Sequence, residues 1–77
     1  MTVGALSISM QPVESSSIMA YGYDSQVGAL RIQFKGGKSY LYRGVPASVV
    51  DELKKAESVG RFVSKNVVGK FDVEKEQ

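Results

Sequence analysis

The chain has 77 residues, enough for one small domain, and a net charge of +2 at pH 7. It contains no cysteine and no histidine, which excludes a disulfide framework, a thiolate zinc site and every nucleophile that depends on a histidine base. No apolar run approaches the ~18 residues of a membrane span, and no basic segment precedes an apolar one at the N-terminus, so we expect a cytoplasmic protein that contacts no membrane.

The charge is distributed unevenly along the chain. Residues 25–71 contain nine basic and three acidic residues, a net charge of +6, whereas residues 1–24 and residues 72–77 each carry −2. A basic middle favours a polyanionic partner, because phosphates that bind lysine and arginine release their counterions. Lysine on solvated faces also keeps ordinary small domains in solution, so the charge by itself leaves both interpretations open.

The N-terminal part is predicted to contain an arm and then a strand. Residues 1–14 alternate loosely between apolar and polar side chains until Pro12 interrupts them, which predicts an arm or an extra strand. The serines at positions 15–17 are typical of a turn, because no neighbouring base could activate them as nucleophiles. Residues 18–23 are predicted to be the first strand of the domain.

Residues 28–43 predict a β-hairpin with Gly36 and Gly37 as its turn. Apolar and polar side chains alternate along residues 30–35, which is the period of two of a half-buried strand. The two glycines can supply the positive φ angles that a tight hairpin turn requires.

Two registers of this hairpin are open. A two-residue turn would place Tyr40 and Tyr42 on the same face as the basic side chains of the hairpin. A three-residue loop with a glycine bulge would shift the second strand by one residue and turn both tyrosines toward the apolar residues of the first strand. We expect the two-residue turn, because the other register would leave Leu41 on the outside.

In the expected register the hairpin presents a face that could bind RNA or single-stranded nucleic acid. Its two tyrosines would stack on unpaired bases, while the neighbouring cations hold phosphates. The predicted contact residues are Arg31, Lys35, Lys38, Tyr40, Tyr42 and Arg43, and the secondary candidates are Tyr21, Arg61 and Lys65.

Two helices are predicted after the hairpin. Pro46 suits the first turn of a helix, and an amphipathic pattern continues to Glu57. Ser58 can cap a shorter second helix that Gly69 ends. Residues 72–77 are charged and poor in apolar side chains, so they are predicted to be an acidic, flexible tail. The predicted fold is α+β, with a small antiparallel sheet of about three strands, a strand plus the hairpin, followed by two packed helices.

Six short sequence pieces stand in a characteristic order along residues 15–71. They are Ser16-Ser17 with Ile18 and Met19, Tyr21-Gly22-Tyr23-Asp24, Leu30-x-Ile32-x-Phe34, Tyr40-x-Tyr42, Gly44-Val45-Pro46, and the run from Ala56 through Gly60-Arg61-Phe62 to Phe71. In this order they resemble the KTSC domain, which is named for the C-terminus of some lysyl-tRNA synthetases and also occurs in small free-standing bacterial proteins. The resemblance implies an RNA-binding role, by association with a tRNA synthetase.

The functional prediction is therefore a small binding module for RNA or single-stranded nucleic acid. The alternative is a protein-interaction or inhibitor module, for example one encoded by a phage or mobile element, that blocks a bacterial factor or captures a small anionic ligand. We predict no enzymatic activity, no cofactor and no metal, because the usual acid–base and ligand constellations are missing. A homodimer would help to stabilise so small a core.

Overall fold

The structure, a computed structural model, describes residues 8–76. Within that range the chain forms five strands and two helices. In chain order they are β1 (Gln11–Pro12), β2 (Ile18–Asp24), β3 (Ala29–Phe34), β4 (Ser39–Arg43), α1 (Ala47–Lys55), α2 (Val59–Asn66) and β5 (Asp72–Lys75).

The strands make one antiparallel sheet in the order β1-β2-β3-β4-β5. The chain leaves the sheet after β4, forms both helices, and returns as β5 along the free edge of β4. The predicted α+β class, with an antiparallel sheet and two helices, is therefore confirmed. No helix in the described range has the length and apolar composition needed to cross a membrane.

The prediction of about three strands is too low, because β1 and β5 also join the sheet. β1 lies in the segment that was predicted to be an arm or an extra strand. β5 occupies residues 72–75, where an acidic tail was predicted. Glu74 of β5 pairs with Arg43 of β4, and Glu76, directly after β5, pairs with Arg31 of β3; these ion pairs help to hold a segment that has little apolar surface of its own.

The hairpin of β3 and β4 adopts the register with the longer loop. Leu30 lies opposite Tyr42, and Ile32 lies opposite Tyr40. The backbone N–H of Phe34 donates to the carbonyl oxygen of Lys38 at 2.8 Å, which closes a loop of three residues. Gly36 and Gly37 in this loop have φ angles of 102° and 95°, which residues other than glycine rarely adopt. The expected two-residue turn is wrong, and both tyrosines face the same side as the apolar residues of β3.

One face of the sheet packs against the helices. The core combines side chains of β2, β3 and β4 with Val50 and Leu53 of α1, Val63 of α2, and Val67 at the end of α2. Gly28 accepts a hydrogen bond from the N–H of Val45 at 3.0 Å, which ties the turn before β3 to the segment that leads into α1. The opposite side of the sheet, called the open face below, carries Arg31, Leu41 and Arg43, whose side chains alternate with those of the core.

Candidate functional site

Arg31 and Arg43, two of the predicted phosphate contacts, lie on the open face in ion pairs. The guanidinium of Arg31 donates from Nε to Oε1 of Glu76 at 2.9 Å and from Nη2 to Oε2 at 3.0 Å. Nε of Arg43 donates to Oε2 of Glu74 at 2.8 Å. The carboxylates therefore offset both cations, which reduces what this face can offer to a polyanion.

The two tyrosines of the predicted stacking platform differ in exposure. Tyr42 is only 4% exposed and belongs to the core, and this burial raises the pKa of its phenol. Tyr40 is half-buried, with its ring edge-on to Phe34 at a centroid distance of 5.6 Å. Because a base needs an exposed ring face to stack on, a platform that uses both tyrosines does not exist here.

Leu41 lies on the open face and is nevertheless only 2% exposed. Its neighbours across the sheet are Arg31 and Glu74, which are both held in ion pairs. Further along the same row, Gly22 leaves room for Ile8 and its neighbours, because a Cβ at this position would collide with them. The open face is therefore partly covered, and Leu41 was a misleading guide to the register.

Lys35 and Lys38 flank the glycines of the hairpin loop, and both are exposed. The backbone N–H of Lys35 donates to the carbonyl oxygen of Ser17 at 2.9 Å. The loop is thereby joined to the serine segment, residues 15–17, that precedes β2.

The serine segment in turn packs against the first turn of α2. A Cβ on Gly60 would lie 2.5 Å from Oγ of Ser17 and 3.3 Å from Oγ of Ser15, so this close approach requires glycine. Oγ of Ser58 accepts a hydrogen bond from the N–H of Arg61 at 3.3 Å and caps the helix. The hairpin loop, the serine segment and the start of α2 therefore form one continuous surface.

An open cleft of about 560 Å³ lies on this surface, and we call it the serine cleft. Its lining residues are Ser16, Ser17, Glu57, Ser58, Gly60, Arg61 and Ser64. Four hydroxyls and a guanidinium offer hydrogen bonds to a polar or anionic group, against a single carboxylate. The sequence assigned Ser16 and Ser17 to a turn and Ser58 to a helix cap, and it did not single out Ser64. No local pattern indicates that these serines meet, because they lie in distant parts of the chain.

The secondary candidates fall in two places. Arg61 and Lys65 are exposed on α2, four residues apart and hence on one side of the helix. Tyr21 is 9% exposed and lines a smaller cavity of about 190 Å³ beside β2, together with Tyr23 and Lys54. Tyr21 is therefore not part of the serine cleft.

Four of the predicted cations lie on the two elements that the serine segment joins, and we call them the basic end: Lys35 and Lys38 beside the hairpin loop, and Arg61 and Lys65 on α2. None of the four forms a salt bridge with any residue in the range 8–76. The basic end therefore carries cations that are not neutralised by any residue in the range 8–76, and one of them, Arg61, lines the serine cleft, while the arginines of the open face are paired. Among the described residues no group of His, Cys, Asp or Glu side chains could hold a metal ion.

The fold and this surface define a small α+β domain with a polar, basic cleft. The sequence profile of the KTSC domain matches residues 14–71. The chain therefore belongs to the KTSC domain family, and the resemblance seen in the short sequence pieces is confirmed. The KTSC domain is a small domain of unknown function, and the match indicates no catalytic family.

Three similar proteins illustrate where this domain occurs. A protein of Tsukamurella paurometabola is 53% identical over 62 residues, which is 80% of this chain and 92% of that protein. The crystal structure of a KTSC domain protein from Yersinia pestis superimposes with a TM-score of 0.86 at 39% identity and covers 92% of this chain and 100% of that one. The lysine–tRNA ligase of Trichormus variabilis is 39% identical over 61 residues, 79% of this chain but only 11% of the ligase.

Proposed function

We propose that this chain is a binding module for single-stranded RNA and that it binds through the basic end and the serine cleft. The observation that carries the proposal is a cleft lined by four serine hydroxyls and the guanidinium of Arg61, which adjoins the hairpin loop because Lys35 N–H donates to Ser17 and Ser17 packs on Gly60. None of the cations of the basic end forms a salt bridge within residues 8–76. Lysine and arginine bind the phosphates, and serine hydroxyls donate hydrogen bonds to phosphate or sugar oxygens.

The proposed interface differs from the hairpin face with Tyr40 and Tyr42 that the sequence predicted. Arg31 and Arg43 already bind carboxylates, and Tyr42 is in the core, so the binding energy comes mainly from phosphate contacts. Tyr40 offers at most one partly exposed ring for stacking. Binding of this kind depends steeply on salt and only weakly on base sequence.

The relatives lend this proposal support from another direction. The lysine–tRNA ligases, whose name states that they act on tRNA, contain a segment similar to this chain. A domain that occurs beside an RNA-dependent enzyme, and whose basic end forms no salt bridge within residues 8–76, fits an RNA-binding role.

The test compares two charge-matched double variants. Lys35→Gln with Lys38→Gln removes two cations of the basic end, and Lys54→Gln with Lys55→Gln removes two exposed cations of α1. Fluorescence anisotropy with a short single-stranded RNA and a matched duplex, at about 50 and 200 mM salt, gives the affinity and its salt dependence. The slope of log K against log salt is expected to fall by about 1.4 for the first variant, since each lost phosphate contact removes ~0.7, and to stay unchanged for the second.

Equal losses in the two variants would mean that binding is diffuse and that the basic end is not the interface. Absence of binding by the unaltered protein at about 50 mM salt would overturn the RNA-binding role itself.

A further inference from the structure

Within residues 8–76, β5 is an edge strand of the sheet, and only one of its two sides pairs with another strand. The N–H of Glu76 donates to the carbonyl oxygen of Ser39 at 2.8 Å, which marks these two residues as a hydrogen-bonded pair. Such pairs alternate along an antiparallel ladder, so the backbone groups of Asp72 and Glu74 also point toward β4. The N–H and C=O groups of Val73 and Lys75 therefore point away from the sheet.

The two edges of the sheet differ in how they are protected. β1 has only two residues, and one of them, Pro12, lacks an N–H. β5 has four residues, all exposed, with no proline and no bulge in its pairing with β4. An edge of this kind is able to receive a further strand.

The side chains of β5 present different chemistry on the two faces of the sheet. Val73 is 50% exposed on the helix side, and Val68, in the turn that precedes β5, is 48% exposed. Asp72, Glu74 and Glu76 alternate on the open face. The carboxylate of Asp72 makes no hydrogen bond or ion pair with the residues described, and Glu74 uses only Oε2, toward Arg43.

We propose that the β5 edge binds an extended peptide segment of a partner protein in which basic and apolar residues alternate. The basic residues of an added strand would lie opposite Asp72 and Glu74 on the open face, and its apolar residues would lie beside Val73. Its backbone would pair with the outward N–H and C=O groups of Val73 and Lys75. This site lies outside the basic end, and it lies beyond the part of the chain that the family profile matches.

A second copy of this chain fits the edge poorly. Antiparallel pairing of two β5 strands through Val73 and Lys75 brings carboxylates opposite one another in every register that keeps the faces aligned. Either Asp72 meets Glu74, Glu74 meets itself, or Glu74 meets Glu76. Like charges directly opposite destabilise a strand pair, so this self-pairing is disfavoured. The carboxylate of Asp72, which forms no ion pair within residues 8–76, favours a basic partner instead.

The test titrates the ¹⁵N-labelled protein with two peptides, one alternating valine with lysine and one alternating valine with glutamate. We expect the lysine peptide to shift the amide signals of Val73 and Lys75 more than any others. The glutamate peptide is expected to bind at least about tenfold more weakly, because its charges repel those of β5.

Two substitutions at one position separate edge pairing from side-chain contact. Val73→Pro removes an outward N–H without touching a hydrogen bond to β4, and proline is tolerated at such an edge position. Val73→Thr keeps both the N–H and the β-branched shape. Val73→Pro is expected to lower the affinity for the lysine peptide at least about tenfold, and Val73→Thr is expected to lower it less than about threefold. If Val73→Pro detaches β5, Asp72→Asn serves as the test variant instead. It should lower the affinity for the lysine peptide and raise the affinity for the glutamate peptide.

Several outcomes would overturn the proposal. These are equal affinity for the two peptides, signal shifts confined to another surface, and unaltered binding by Val73→Pro. A dimer in sedimentation that Val73→Pro dissociates would also overturn it, because a second copy would then occupy the edge.

Discussion

Tyr40 and Tyr42 show how far the role of one residue depends on its strand register. The sequence marks them as a pair, two residues apart and surrounded by cations. In the structure Tyr42 fills the core next to the helices, and Tyr40 packs edge-on against Phe34 at the margin of that core. Both rings contribute mainly to folding, since large aromatic side chains bury more apolar area than other residues.

We expect Tyr42→Ala to lower the free energy of unfolding by about 3–5 kcal/mol, as for other large aromatic side chains removed from a core. Tyr40→Ala, at a half-buried position, is expected to cost about half as much or less. Urea denaturation followed by circular dichroism measures both values. If both variants lower the free energy of unfolding by the same small amount, Tyr42 is not a core residue, and the two tyrosines would again be candidates for stacking on bases.

At the scale of elements, β5 owes its place to ion pairs as well as to backbone pairing. Glu74 and Glu76 reach Arg43 and Arg31, their partners 31 and 45 residues away in the chain. The hydrogen bond and the charge of Arg43 hold the pKa of the Glu74 carboxyl below its usual range. Because these groups are largely exposed, the pairs orient the strand more than they stabilise the whole fold.

The lowered pKa of Glu74 makes the attachment of β5 dependent on pH. A carboxyl group with a lowered pKa in the folded state stabilises that state above its unfolded pKa, and the contribution is lost as the pH falls through the folded pKa. We therefore expect hydrogen-exchange protection of the Glu74 and Glu76 amides to fall as the pH drops below about 4.5, the ordinary pKa of a glutamate carboxyl, while the amides of β3 keep theirs.

The variant Arg43→Gln supplies the control for this prediction, because it removes the cause of the shift and should flatten the pH dependence at Glu74. Constant protection of β5 from neutral to acidic pH in the unaltered protein would contradict the role of the ion pairs.

At the scale of the whole molecule, the structure sorts the cations into two populations. The arginines of the open face are paired with the acidic C-terminal strand, whereas the lysines of the hairpin loop and the cations of α2 are unpaired among the described residues. A net charge of +2 thus understates the positive potential of the basic end.

Releasing the paired arginines should extend the RNA-binding surface. Glu74→Gln with Glu76→Gln frees Arg43 and Arg31 and raises the net charge from +2 to +4. We expect tighter RNA binding and a salt slope steeper by up to about 1.4, if each freed arginine contacts one phosphate. Asp51→Asn with Glu52→Gln on α1 makes the same charge change without freeing either arginine, so its slope should stay close to that of the unaltered protein. Equal slopes for these two variants would show that the arginines of the open face do not reach the RNA.

Some of this architecture was accessible from the sequence because it depends on local patterns. Alternation along residues 30–35 indicated β3, the stripe that contains Val50 and Leu53 indicated α1, and Ser58 indicated the start of α2. The order of short sequence pieces also indicated the KTSC family. The signals for the three elements each lie within a few residues of the element that they predict, where periodicity and capping preferences act directly on the backbone.

The register of the hairpin, the fifth strand and the serine cleft were decided only by the tertiary structure. A shift of one residue exchanges the two faces of a strand. The observed register buries Tyr42 in the core, and Leu41 is buried on the open face. β5 has no apolar period to reveal it, since it depends on arginines more than 30 residues away. The serine cleft joins segments that are distant in the chain through the close approach of Ser17 to Gly60. Local pattern thus determined which elements form, and long-range packing and charge pairing determined how they meet.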